Sequence, residues 1–191
     1  MTTAAASSVT PQDIYDGLMA VRQGDPVEET LAQILASWAL GYGAMPLWLG
    51  LSEARFHGML NKHFPGLPPD VLPGIGLSID PRRRDEVDDL HQLLMQNLSG
   101  GSDTQALMAD IVTAGCLGND HLWQDLGLWS RADLSRLMME NFAPLAARNN
   151  RDMKWKKFLY KQLCETEGIY TCRAPSCEVC VDYAQCFGPE D

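Results

Sequence analysis

The sequence predicts an all-α fold: one helical domain of about six to eight helices, closed by a short cysteine-rich C-terminal tail. Three observations carry this. Helix starts are marked repeatedly by a capping side chain, three times directly before proline. No run of four to eight residues alternates apolar and polar side chains as a half-buried strand would. Nine Met and five Trp accompany few β-branched residues outside short runs. At 191 residues the chain fits a single domain. Its 46% hydrophobic and 21% charged residues exclude wholesale disorder.

The elements follow in order. Residues 1–9 read as a mobile leader, with no basic region and no long apolar stretch of the signal-peptide kind. The helical domain is expected over 10–168 and the cysteine-rich tail over 169–191. Thr10 before Pro11 opens a first helix. Asp25 before Pro26, with Glu28 three residues on from the aspartate, opens a second. No charge falls between Glu29 and Glu53, but Gly41, Gly43, Pro46 and Gly50 interrupt the stretch and both flanks are acidic. Two buried helices joined by a glycine-rich turn account for it better than a membrane span. Asp80 before Pro81 predicts a helix to about Leu98, whose charged start (Arg82 to Asp89) reads as a solvated face with internal ion pairs. Ser102 with Gln105 starts the next helix, and Ser130 with Asp133 starts another that ends near Pro144. The last helix carries Trp155, Phe158, Leu159 and Leu163 on one face with Lys154, Lys157 and Lys161 off it, and Gly168 is its expected stop.

Segments 34–41 and 111–118 resemble each other. Leu49, Gly50 and Leu51 correspond to Leu126, Gly127 and Leu128, and each set precedes a serine-capped helix ending near Phe64 or Phe142. The pattern suggests a duplicated helix–turn–helix unit.

The formal net charge of −10, from 15 Lys+Arg against 25 Asp+Glu, argues against general nucleic-acid binding and against attachment to anionic lipid. There is no GxSxG elbow and no P-loop, and Gly74 and Gly76 lack the third glycine of a dinucleotide fingerprint, so no enzyme active site is expected. The expected setting is the cytoplasm, where cysteines stay reduced and their spacing reads as ligand chemistry.

That spacing is the chemical signal. Cys172, Cys177, Cys180 and Cys186 form C-x4-C-x2-C-x5-C, four thiols within fifteen residues. Such a cluster is a metal site. Structural zinc usually uses two separated CxxC-like knuckles, of which only Cys177 and Cys180 make one. The C-x4-C-x2-C part matches an iron–sulfur spacing without the distant fourth ligand of a ferredoxin. Thiolates suit zinc, copper(I) and iron–sulfur clusters alike, so spacing leaves the metal open. Cys164 reads either as a fifth thiol or as a small buried hydrophobe. Cys116 ends an apolar helix and reads as core. His121, at a helix start, reads as a capping residue or as a further metal ligand. His57, His63 and His91 are too scattered to form a site. Lys154, Lys156, Lys157 and Lys161 concentrate positive charge, either as a solvated face or as an attraction for an anion or an acidic partner.

The run 155–164 (WKKFLYKQLC), the four-cysteine motif, the last residues Phe187 to Asp191, the stretch 121–128 (HLWQDLGL) and Met153 to Trp155 together resemble the NifQ family of nitrogen fixation. The resemblance covers most of the chain and is most specific after Asn119. It implies a carrier of a molybdenum–iron–sulfur cluster held by Cys172, Cys177, Cys180 and Cys186. It also implies delivery of molybdenum to the nitrogenase cofactor scaffold complex, NifEN, in concert with the nitrogenase iron protein, NifH. The alternatives are a zinc-stapled adaptor and an iron–sulfur electron carrier. On the carrier reading, Lys156 and Lys157 are expected to orient docking without supporting the cluster.

Overall fold

The computed structural model describes residues 9–67, 72, 84–166 and 183–190. Among the described residues it is all-helical, with ten α-helices and no strand. They are α1 (Pro11–Ala20), α2 (Val27–Ala39), α3 (Glu53–His63), α4 (Arg84–Met95), α5 (Asp103–Cys116), α6 (Leu122–Asp125), α7 (Arg131–Asn141), α8 (Ala143–Ala146), α9 (Trp155–Thr166) and α10 (Tyr183–Phe187). The count exceeds the expected six to eight because α6, α8 and α10 are only four or five residues long. A single turn contains too few residues to display a 3.6-residue hydrophobic period.

Helices α2 and α5 form the centre. In α2 every residue except Glu29 is buried, polar Thr30, Gln33 and Ser37 included. The first part of the charge-free stretch is therefore an interior helix, without charge after Glu29 because it is covered on all sides. Helix α1 packs on α2, α4 on α5 and α9, and α6 on α5 and α7. No helix among the described residues is long and apolar enough to cross a membrane. The expected second helix of the stretch is instead a tight turn at Leu47–Gly50, where Trp48 and Leu49 both hold φ of 56°. Left-handed backbone costs about 1–2 kcal/mol per non-glycine residue. Full burial of Leu49 and the packing of Trp48 on Phe56, with centroids 5.2 Å apart, offset that cost.

The capping signals are largely realised. Thr10 accepts from the Asp13 N–H, while the Asp13 carboxylate accepts from the Thr10 hydroxyl and N–H, and these last two bonds hold the Asp13 carboxyl below its usual range. Ser52, Ser102 and Ser130 each accept from the N–H three residues on. At the second helix the device shifts. Pro26 occupies the N-cap position, the Asp25 carboxylate accepts from Val27 N–H at 3.1 Å, and the Glu28 carboxylate accepts from Gly24 N–H at 2.8 Å. Glu28 is fully buried and its other oxygen lies 3.2 Å from Nδ1 of buried His63. Asp80, Pro81, Arg82 and Arg83 lie outside the described residues. Helix α4 ends at Met95, not Leu98, where the Asn97 side chain turns back to donate to the Leu93 carbonyl.

The two similar segments have matching structure. Helices α3 and α7 are each eleven residues long, each capped by serine, and each ended by a phenylalanine of nearly the same conformation (Phe64 φ −136°, Phe142 φ −134°). The contacts between the units are reciprocal. A Cβ on Gly50 would lie 2.7 Å from the Ala114 side chain, and one on Gly127 would lie 2.7 Å from that of Ser37. In the alignment of the segments Gly50 matches Gly127 and Ser37 matches Ala114, so each unit sets its turn glycine on the same helix position of the other. Reciprocity of this kind is the property of a two-fold interface. Gly127, at φ 73°, is therefore expected to resist substitution. Gly127→Ala should cost about 3 kcal/mol, combining backbone strain and overpacking. Gly66→Ala, also at positive φ but facing open space, should cost about 1 kcal/mol. Urea unfolding of the two variants checks the difference.

Candidate functional site

Cys172, Cys177 and Cys180 lie outside the described residues, so the structure bears on the cysteine motif only through Cys186. This residue sits on α10, half-buried, and its carbonyl accepts from the Lys154 N–H at 2.7 Å, just before α9 begins. Phe187 packs against the core, stacks on Tyr183 with ring centroids 4.5 Å apart, and lies under the Arg151 guanidinium at 5.3 Å. Segment 183–190 is thus fastened to the start of α9. Cys164 is half-buried in the last turn of α9, and Cys116 is buried at the end of α5, as expected of core. Among the described residues no three His, Cys, Asp or Glu side chains gather as a metal-holding group.

His121 stands at the start of α6, where the Gln124 side chain accepts its backbone N–H at 3.2 Å. It lines a cleft of about 490 Å³ together with Asn119, Asp120, Lys154, Lys157 and Gln185, the last adjacent in sequence to Cys186. The cleft lies where the α5–α6 connection, the first turn of α9 and segment 183–190 meet.

Two buried carboxylates brace the elements around the cleft, and one of them, Glu190, lines it. Asp125, with a side chain 1% exposed, pairs with Lys156, whose ammonium also donates to the carbonyls of Gly118 at 3.0 Å and Asp120 at 2.7 Å. The other Asp125 oxygen accepts from the Asp120 N–H at 3.3 Å. One lysine and one aspartate thereby tie α9 to the loop that carries His121. Gly118 has no side chain because the Asp125 carboxylate fills that space: an added Cβ would come within 2.2 Å of it. The second carboxylate, Glu190, has a side chain 3% exposed, with one oxygen 3.3 Å from Arg131 Nε and the other 3.6 Å from His121 Nδ1. Arg131 is gripped by Asp152, whose carboxylate accepts two bonds at 2.7 and 2.8 Å and whose carbonyl accepts a third. Bonding to Asp152, with the nearby Glu190 charge, raises the guanidinium further above its already high value. Asp152 holds φ of 55°, a conformation aspartate tolerates better than most residues, and this aims both its acceptors at Arg131.

The sequence reading found His121 and the lysines but missed Asp125, Arg131, Asp152 and Glu190. Nothing in the spacing of these four links them, since Asp125 and Lys156 are 31 residues apart and Arg131 and Glu190 are 59 apart. The lysines also divide differently from expectation. Lys156 is committed to the interior and is structural. Lys161 pairs with Glu165 at 3.0 Å. Lys157 is exposed and Lys154 half-buried at the cleft. Reversing charge at Lys156 therefore tests stability, not docking.

The family model NifQ matches residues 30–188. Protein NifQ of Azotobacter vinelandii is 42% identical over 185 residues, covering 92% of this chain and 95% of that protein. Protein NifQ of Klebsiella pneumoniae is 34% identical, covering 85% of this chain and 99% of that protein. Protein NifQ of Rhodobacter capsulatus is 34% identical, with 84% and 87% covered. No solved structure matches the chain. The match runs from within α2 through the whole cysteine motif, and the chain belongs to the NifQ family.

Proposed function

We propose that this protein serves nitrogen fixation as a carrier, not a catalyst, of a molybdenum–iron–sulfur cluster. Cys172, Cys177, Cys180 and Cys186 hold the cluster, and its molybdenum is donated for assembly of the iron–molybdenum cofactor. The receiving partner on this reading is the scaffold complex NifEN, acting with the iron protein NifH, in the cytoplasm. The observation that carries the reading is the four-cysteine motif within a chain of the NifQ family. Thiolates are soft ligands suited to an iron–sulfur core. A donor must hold its cargo firmly yet release it to a partner, so a site on a short segment after the last long helix suits it. The tie between Cys186 and Lys154 supports this, because it gives such a segment a fixed anchor at one end.

Anaerobic purification followed by elemental analysis is the test. Iron together with molybdenum, and loss of molybdenum from the loaded protein only when NifEN and NifH are both supplied, is the expected result. Zinc alone would favour the stapled adaptor. Iron that cycles in redox state with no molybdenum lost would favour the electron carrier.

A further inference from the structure

We propose that Glu190 is a positioning residue for Cys186, and that its buried carboxylate, set between Arg131 and His121, is a reversible clasp governing how firmly the thiolate site keeps its cargo. The statement about cargo rests on the carrier reading above; the clasp itself does not. Helix α10 has five residues and none of them is fully buried, so it cannot hold its own place. Its position comes from ties to the body. At Cys186 the carbonyl accepts from the Lys154 N–H at 2.7 Å, and Phe187 lies under the Arg151 guanidinium, both at the start of α9. Four residues beyond Cys186, Glu190 reaches different elements: Arg131 is the first residue of α7 and His121 the N-cap of α6. A segment held at one place can pivot, and one held at two cannot. Glu190 is the second hold.

The geometry of the hold makes it easy to open. Arg131 is bound first to Asp152, whose carboxylate takes two of its bonds at 2.8 and 2.7 Å, so the guanidinium stays in place whether or not Glu190 is there. Its Nε faces a Glu190 oxygen across 3.3 Å, yet neither buried atom completes a hydrogen bond. The other Glu190 oxygen is 3.6 Å from His121 Nδ1, beyond hydrogen-bond length. A carboxylate 3% exposed thus shares one cation with Asp152, and the cost of burying it is only partly repaid. Swinging out returns it to water, where it is fully solvated. The contrast is Asp125, whose lysine also donates to two carbonyls and has no second carboxylate to serve. A carrier needs the Glu190 kind of contact: closed while cargo is held, and open at small cost when a partner draws on the segment.

The test uses the full chain, first stripped of metal and reduced, with iodoacetamide alkylation read at each cysteine by mass spectrometry. Glu190→Gln keeps the shape of the side chain and removes its charge. It should raise the alkylation rate of Cys186 about tenfold, while buried Cys116 stays protected and thermal melts show a folded protein. Arg131→Gln should act in the same direction. The double variant Arg131→Gln/Glu190→Gln should react no faster than the faster single, because both substitutions remove one contact. Lys161→Gln, whose partner is Glu165, should leave Cys186 at the wild-type rate. On protein reconstituted to equal cluster content, Glu190→Gln should surrender iron to a chelator about tenfold faster than wild type. Equal alkylation of Cys186 in wild type and the folded single variants, or multiplied effects in the double, would overturn the clasp. Faster alkylation with unchanged iron loss would overturn its hold on the cargo. Wild type that takes up no molybdenum–iron–sulfur cluster would count against the carrier reading, and the alkylation rates would still decide the clasp.

Discussion

Lys156→Ala is expected to destabilise the protein by about 3 kcal/mol or more, because it strands the buried Asp125 carboxylate. Removing one partner of a buried ion pair typically costs about 3–5 kcal/mol, since the remaining charge is neither solvated nor neutralised. The loss extends further here. The carbonyls of Gly118 and Asp120 forfeit their donor at the same time, and α9 loses its tie to the α5–α6 connection. Lys156→Met, which keeps the stem but not the charge, should be nearly as costly. The double variant Lys156→Met/Asp125→Leu should recover part of the loss, because an apolar pair needs no compensation in that environment. Urea unfolding of the two single variants and the double closes the cycle. Destabilisation below about 1 kcal/mol in Lys156→Ala would mean that Asp125 is reached by water, and that the pair is not what fastens the helix.

The largest functional effect is expected from the cysteines. Alanine at any one of Cys172, Cys177, Cys180 or Cys186 should abolish stable cluster binding, read by anaerobic visible absorption and metal content. A lost thiolate opens an iron corner to solvent and oxidation. Cys116→Ala should keep the cluster, since that thiol is 1% exposed at the end of α5. Equal metal loss from Cys116→Ala would relocate the site. Cys164→Ala separates two readings of one half-buried residue: loss of absorbance marks a fifth thiolate, whereas a small shift in melting with metal retained marks a packed side chain. Cys186→Ala carries one further control. Its tie to Lys154 runs through the backbone carbonyl, so the variant should stay folded while losing the cluster.

Much of this architecture was legible in the chain. Thr10, Ser52, Ser102 and Ser130 announce helix starts because a side-chain oxygen that satisfies an orphan N–H three residues on is a local device. The correspondence of Gly50 with Gly127 and of Phe64 with Phe142 was likewise visible, being carried by residue types at fixed offsets. The cysteine motif was read from spacing alone, and three of its four thiols lie outside the described residues.

Other features are set between residues far apart in the chain, and there the sequence was silent. It showed that the charge-free stretch is buried, but not that a tight turn at Leu47–Gly50 stands where a second helix was expected. The turn at Trp48 and Leu49 adopts a strained backbone that no local preference favours; burial of Leu49 in the core compensates for it. Lys156 and Lys157 are neighbours of identical chemistry in the sequence. Only packing separates them, because the helix turns one toward the buried Asp125 and leaves the other exposed. Asp125, Arg131, Asp152 and Glu190 acquire their meaning in the same way. A carboxylate says nothing of its partner until the chain has folded, since desolvation and charge pairing act through space and not along the backbone.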